Sequence, residues 1–70
     1  MALREQLDGI VGEMVAKGLR YDEAQREFEK RFISQVLTNV DGNVCKAADI
    51  LGMHRNTLSR KIQEHRIRRA

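Results

Sequence analysis

Residues 42–62 read GNVCKAADILGMHRNTLSRKI and are more informative about structure than any other part of the chain. Asn43 is a favourable N-cap for a short helix. This helix has apolar residues at helical spacing, namely Val44, Ala47, Ala48 and Leu51. Gly52 can adopt the left-handed backbone that ends a helix and turns the chain sharply. A second helix, about residues 54–66, follows with Leu58 and Ile62 on its inner face, so the pattern predicts a helix-turn-helix.

Two further helices are predicted before this motif. The first has an apolar stripe of Leu3, Leu7, Ile10, Val11, Met14 and Val15. The second begins near Tyr21, ends at Asp41-Gly42 and has an apolar stripe of Ala24, Phe28, Phe32 and Val36, widened late by Ile33, Leu37 and Val40. The chain contains no proline and no alternating strand pattern. We therefore expect an all-α fold of four helices in one domain over residues 1–70, with dimerisation helices in 1–41 and the helix-turn-helix in 43–66.

The size of the chain suggests that it pairs with a second copy. A lone hydrophobic core is marginal at 70 residues, and such chains often depend on disulfides, metals or oligomerisation. The one cysteine excludes an internal disulfide and any zinc site built on cysteine pairs, so we expect no metal and no cofactor. Of these three means of stabilisation, pairing into a homodimer remains. The residues expected in the core or the dimer contact are Leu7, Ile10, Val11, Met14, Phe28, Phe32 and Val36.

The two parts of the chain differ in charge. Residues 1–42 contain six Lys or Arg and eight Asp or Glu, a net charge of −2, whereas residues 43–70 contain seven and two, a net charge of +5. A basic segment beside a mildly acidic one is typical of a nucleic-acid-binding end attached to a structural end. A basic tail that serves only solubility would give the same asymmetry, so charge alone leaves both interpretations open.

The motif in residues 42–62 resembles the helix-turn-helix of the Fis family. It matches the family pattern G-N-x-x-x-A-A-x-x-L-G-[IM]-x-R-x-T-L-x-[RK]-K-[IL], and likeness extends over residues 22–67. The same module is similar to the C-terminal DNA-binding domain of sigma-54 enhancer-binding activators. The resemblance implies a four-helix protomer whose first two helices intertwine with those of a partner copy. It also implies that the recognition helix, about residues 54–66, enters the major groove of double-stranded DNA and that the DNA bends.

The resemblance also suggests roles for individual residues. Arg55 corresponds to the arginine that reads a base, and arginine on guanine is the commonest specific contact. His54 precedes it in the same turn, where Fis has asparagine, and is a second candidate for a base contact. The positions expected to contact phosphates are Asn43, Cys45, Thr57, Ser59, Arg60 and Lys61. Cys45 stands where a hydroxyl residue is common in the family, and Ser59 stands where a basic residue can occur. The preferred DNA sequence therefore need not be that of the family prototype.

Other classes of function are less well supported by the residues. No paired carboxylates, activated nucleophile or glycine-rich phosphate loop are visible, so we do not expect an enzyme. No apolar run approaches the ~20 residues that cross a bilayer, and no secretory signal is visible at Met1–Glu5. We expect a cytoplasmic, nucleoid-associated bacterial protein or transcription regulator, with the transcription machinery as a further partner. The alternatives are the excised end of a larger activator, or a helical dimerisation module that binds an acidic protein or RNA.

Overall fold

The computed structural model describes residues 2–67, which form four helices and no strand. The helices are α1 (Leu3–Ala16), α2 (Tyr21–Asn39), α3 (Val44–Leu51) and α4 (Arg55–His65). The all-α class and the four predicted helices are therefore confirmed. Arg68 and Arg69, which contribute to the basic C-terminal charge, lie outside the described residues. Within the described residues, no helix combines the length and the apolar composition that crossing a bilayer requires.

The core lies where α2, α3 and α4 meet. It is formed by six buried side chains, namely Ile33, Leu37, Ala47, Ala48, Leu58 and Ile62. Ala47 and Ala48 are small, which allows α3 to approach the other two helices closely. Leu58 and Ile62 lie one turn apart on α4 and close the core on that side, as their spacing predicts.

The predicted apolar stripe of α2 is only partly buried within the protomer. Phe28 and Phe32, which were expected in the core or the dimer contact, are 54% and 51% exposed. Ile33 and Leu37, on the adjacent row, are the two buried residues of the helix, and Val36 packs at the edge of the core. Phe28 and Phe32 therefore do not belong to the core of the single chain. The physical reason is that α3 and α4 both pack on one side of α2, which leaves the other apolar row uncovered.

The first helix contributes little to the core, because none of its residues is buried. Leu7, Ile10 and Val11 are each about half exposed, and Met14 is partly buried. The radius of gyration is 13.5 Å, whereas a compact chain of 70 residues has about 11 Å. The accessible surface is 5930 Å², whereas a folded monomer of this mass exposes about 4,500 Å². The protomer thus leaves an unusually large apolar surface uncovered.

Candidate nucleic-acid interface

The helix-turn-helix is held by three local devices. The Asn43 side-chain oxygen accepts a hydrogen bond of 3.1 Å from the Lys46 backbone N–H, which confirms Asn43 as the N-cap of α3. Gly52 ends α3 in the left-handed region with φ 71°. The backbone N–H of Met53 donates to the Ala48 carbonyl at 3.0 Å and closes the turn. These contacts fix the direction in which the chain enters α4.

His54 has a local role that the sequence did not indicate. Its ring Nδ1 accepts a hydrogen bond of 3.0 Å from the Asn56 backbone N–H, so His54 is the N-cap of α4. An accepting Nδ1 leaves the Nε2 nitrogen to carry the proton in the neutral ring. The side chain is exposed, and its Nε2–H is therefore the atom with which this residue could reach a DNA base or phosphate.

Arg55 is the first residue of α4 and lies beside the start of α3. Its Nη1 lies 3.7 Å from Cys45 Sγ, so the N-terminal turns of the two helices form one surface. Sulfur is a weak acceptor, and among the described residues no carboxylate forms an ion pair with Arg55. The guanidinium is exposed and keeps most of its five donors available. Cys45 is a free, exposed thiol on the same surface.

The remaining candidate contacts are divided between two sides of α4. Arg60 is exposed and forms only a long surface pair with Glu64, at 3.8 Å. Thr57 and Ser59 are partly buried, which places their hydroxyls at the margin of the exposed surface. Lys46 was not among the residues expected to contact DNA. It is exposed in the first turn of α3, close to the cap at Asn43. It was missed because the resemblance gave no role to this position.

Lys61 faces α2 instead of the exposed surface. Its Nζ lies 3.1 Å from Glu29 Oε1, and His65 Nε2 lies 2.8 Å from the same oxygen. The hydrogen bond from His65 is the largest effect and lowers the pKa of the Glu29 carboxyl below its ordinary value of 4.5. Burial is the second-largest effect and opposes this shift, whereas hydrogen bonding and charge from Lys61, and the charge of His65, add to it. The sequence expectation that Lys61 contacts a phosphate did not include this partner, which lies 32 residues earlier in the chain.

A second surface, the α1–α2 groove, is almost entirely apolar. Its volume is about 430 Å³. The residues that line it are Leu7, Ile10, Val11, Met14, Val15, Leu19, Tyr21, Ala24, Gln25 and Phe28. The rings of Phe28 and Phe32 lie 5.5 Å apart at its edge. All of the predicted dimer-contact residues except Phe32 and Val36 line this groove, and Phe32 continues it along α2.

Among residues 2–67, no three His, Cys, Asp or Glu side chains lie close enough together to form a metal-binding group. Cys45 and His54 lie near each other in sequence, but two ligands would not make a site. The chemistry of the exposed surface is therefore that of arginine, lysine, amide and hydroxyl donors. Such donors suit phosphate oxygens and base edges.

Comparison with known proteins agrees with this architecture. The family described as "Bacterial regulatory protein, Fis family" matches residues 24–65, which is more than half of the chain. The chain is 47% identical over 51 residues to the DNA-binding transcriptional regulator NtrC of Azospirillum brasilense, covering 73% of this chain and 10% of that protein. It is 50% identical over 44 residues to NtrC of Rhizobium meliloti, covering 63% and 9%.

A shorter relative covers a similar part of the chain. A protein of Xylella fastidiosa described as Fis-like and DNA-binding is 40% identical over 45 residues, covering 64% of this chain and 50% of that protein. The chain thus spans about a tenth of the length of the two NtrC relatives and half of the Fis-like one. No solved structure gives a significant match. The matched residues, 24–65, contain the whole of α3 and α4 and most of α2. The chain belongs to the Fis family of bacterial regulatory proteins, and its α3 and α4 form that family's helix-turn-helix.

Proposed function

We propose that two copies of this chain bind double-stranded DNA and regulate transcription or shape the chromosome. The single observation that carries this function is the common exposed surface formed by the N-terminal turns of α3 and α4, joined by the 3.7 Å contact between Arg55 and Cys45. This surface carries unpaired guanidinium and amide donors and lies in the basic part of the chain. In a helix-turn-helix, the N-terminal residues of the second helix contact base edges while the first helix crosses the backbone.

The geometry supports a division of roles among the exposed residues. Arg55 reads a base, with His54 Nε2–H beside it as a second base contact. The residues proposed to contact phosphates are Asn43, Cys45, Thr57, Ser59 and Arg60, together with Lys46. Backbone N–H groups at the start of α3 assist, because the positive end of a helix dipole attracts phosphate. Lys61 is not included, because its ammonium forms an ion pair with Glu29 at 3.1 Å.

The α1–α2 groove supports a homodimer through the first two helices. The protomer exposes about 1,400 Å² more than a folded monomer of its mass. Obligate homodimer interfaces cover about 1,000–2,500 Å² on each partner, so a second copy can account for the excess. A two-fold dimer would present two recognition helices to neighbouring major grooves, and the site should be a degenerate palindrome. Bending of the DNA would bring both recognition helices into contact with it, and flexible base-pair steps between the half-sites would add sequence specificity.

The proposed partners and location follow from this activity. Binding to chromosomal DNA would place the protein at the nucleoid. The NtrC relatives are described as DNA-binding transcriptional regulators, and by that likeness the transcription machinery is a further proposed partner.

Fluorescence anisotropy on two ~30-bp duplexes, one A·T-centred and one scrambled, tests the function. We expect tight binding that weakens steeply as salt rises from about 50 to 200 mM, because counterion release dominates affinity. Arg55→Ala should cost about 1–3 kcal/mol on the preferred duplex and reduce the difference between duplexes. Arg31→Ala removes the same charge from α2, where the side chain pairs with Glu27 at 3.2 Å, and should leave the preference intact.

Two results would contradict the proposal in different ways. If Arg55→Ala weakens binding equally on both duplexes, Arg55 contacts phosphate and does not read a base. If the wild-type protein binds neither duplex at low salt, duplex DNA is not the ligand. The same anisotropy assay with single-stranded RNA then tests the alternative of an RNA-binding helical module.

A further inference from the structure

The Glu29 cluster joins α2 to the recognition helix. Glu29 Oε1 is shared by Lys61 Nζ at 3.1 Å and His65 Nε2 at 2.8 Å. The His65 side chain is only 7% exposed, and those of Lys61 and Glu29 are 26% and 28% exposed. The other ion pairs among residues 2–67, Glu27–Arg31 and Arg60–Glu64, each join residues of one helix. Among residues 2–67, the Glu29 cluster is thus the ion-pair link between helices.

The position of Lys61 on α4 explains why it meets Glu29. An α-helix turns about 100° per residue, so Lys61 and the buried residue Leu58 lie about 60° apart around the axis. Arg60 lies about 160° from Leu58 and points outward. The two adjacent basic residues therefore have different surroundings: Arg60 faces the exposed surface, whereas Lys61 faces α2.

We infer that Glu29 is a positioning residue for DNA recognition, which holds the recognition helix against α2 and keeps the charge of Lys61 away from DNA. This inference rests on the proposed function. A lysine that is hydrogen-bonded to a carboxylate forms a charge-neutral pair and releases no counterion from a phosphate. Arg60 is then the basic side chain on this part of α4 that contacts the DNA phosphates, and Lys61 serves to orient the helix.

His65 stabilises the same arrangement. Its buried ring lies one turn beyond Lys61 and donates to the same carboxylate oxygen, which keeps the oxygen in place beside the ammonium. A charge-assisted hydrogen bond between partly buried groups is stronger than one between neutral groups. The groups that face His65 from the packed helices are Glu29 on α2 and Lys61 on its own helix.

The slope of log K against log salt concentration on one duplex tests the inference. Each phosphate contact contributes about −0.9 to this slope. The proposed dimer contains each residue twice, so we expect Arg60→Ala to make the slope less negative by about 1.8 and Lys61→Ala to leave it unchanged. Lys61→Ala that flattens the slope as much as Arg60→Ala would overturn the inference.

Glu29→Gln and Glu27→Gln form a matched pair of variants. Each removes one negative charge from α2 and frees one basic side chain from its ion pair, Lys61 or Arg31 respectively. Glutamine at position 29 keeps an acceptor for His65 but no longer neutralises the lysine. Glu29→Gln should steepen the salt slope of the proposed dimer by up to about 1.8, whereas Glu27→Gln should not change it. Equal slopes for the two variants would overturn the inference.

Two controls keep the outcomes distinct. Circular dichroism shows whether Glu29→Gln retains the wild-type helix content, and if it does not, the Lys61 and Arg60 variants decide alone. Failure of the wild-type protein to bind any duplex overturns the proposed function and this inference together. Wild-type binding with a Lys61→Ala slope equal to that of Arg60→Ala overturns the inference only.

Discussion

Truncation of Phe28 should weaken dimer formation by a predictable amount. Complete burial of a phenylalanine side chain contributes about 1.5–3 kcal/mol. Phe28 is 54% exposed in the protomer, so burial of the exposed half on dimerisation would contribute roughly 1 kcal/mol. A two-fold interface contains the residue twice. Phe28→Ala should therefore cost about 2 kcal/mol, which raises the dimer dissociation constant about 30-fold.

Sedimentation equilibrium over a series of protein concentrations measures this constant directly. Ile50→Ala is the matched control, because Ile50 is 62% exposed on α3 and does not line the α1–α2 groove. It should leave the dissociation constant unchanged. Thermal unfolding of both variants distinguishes loss of pairing from loss of folding within the protomer.

Three results would refute the reasoning. A wild-type protein that stays monomeric at all accessible concentrations would show that no second copy covers the groove. An unchanged dissociation constant for Phe28→Ala would show that the dimer uses another surface. An effect of Ile50→Ala as large as that of Phe28→Ala would place the contact on α3.

Further predictions concern the turn, the cap and the Glu29 cluster. Gly52→Ala should destabilise the protein by about 1–2 kcal/mol in thermal unfolding, because φ is 71° and alanine is strained in the left-handed region. A Cβ there meets no atom within 4 Å, so the cost comes from the backbone conformation and not from a clash. Gly12→Ala, inside α1 and equally unobstructed, should instead increase helix content. Asn43→Ala should lower the unfolding temperature by about 4–8 °C, since loss of an N-cap costs about 1 kcal/mol. Because its folded pKa is lowered, Glu29 stabilises the protein above its ordinary pKa of 4.5 and loses this effect as pH falls below that value. The deficit in unfolding temperature of Glu29→Gln should therefore disappear at acidic pH, and a constant deficit would contradict the ion-pair explanation.

The parts of the fold that local chemistry determines could be predicted from the sequence. The cap at Asn43 and the helix end at Gly52 both depend on neighbouring backbone atoms, and both are confirmed. The recognition helix was expected over about residues 54–66 and extends over Arg55–His65. Helix ends of this kind are specified by residues within one turn of the end.

The parts that depend on distant contacts could not be predicted in the same way. The second helix has two adjacent apolar rows, and periodicity alone does not say which row the later helices cover. The structure buries Ile33 and Leu37 and leaves Phe28 and Phe32 exposed. Likewise, Glu29 resembles any exposed carboxylate in the sequence, because its partners are 32 and 36 residues away.

Dimerisation and DNA binding should be coupled by mass action. No residue of α1 is buried in the protomer, so this helix would gain most of its packing in the proposed dimer, where a second copy covers the α1–α2 groove. A dimer also joins two recognition helices, and the second then binds as an intramolecular step at high effective concentration. DNA in turn favours the dimer, because a ligand that binds the paired state stabilises it. Occupancy of a palindromic site should therefore rise more steeply with protein concentration than occupancy of a half-site, and Phe28→Ala should reduce that steepness without altering the base preference proposed for Arg55.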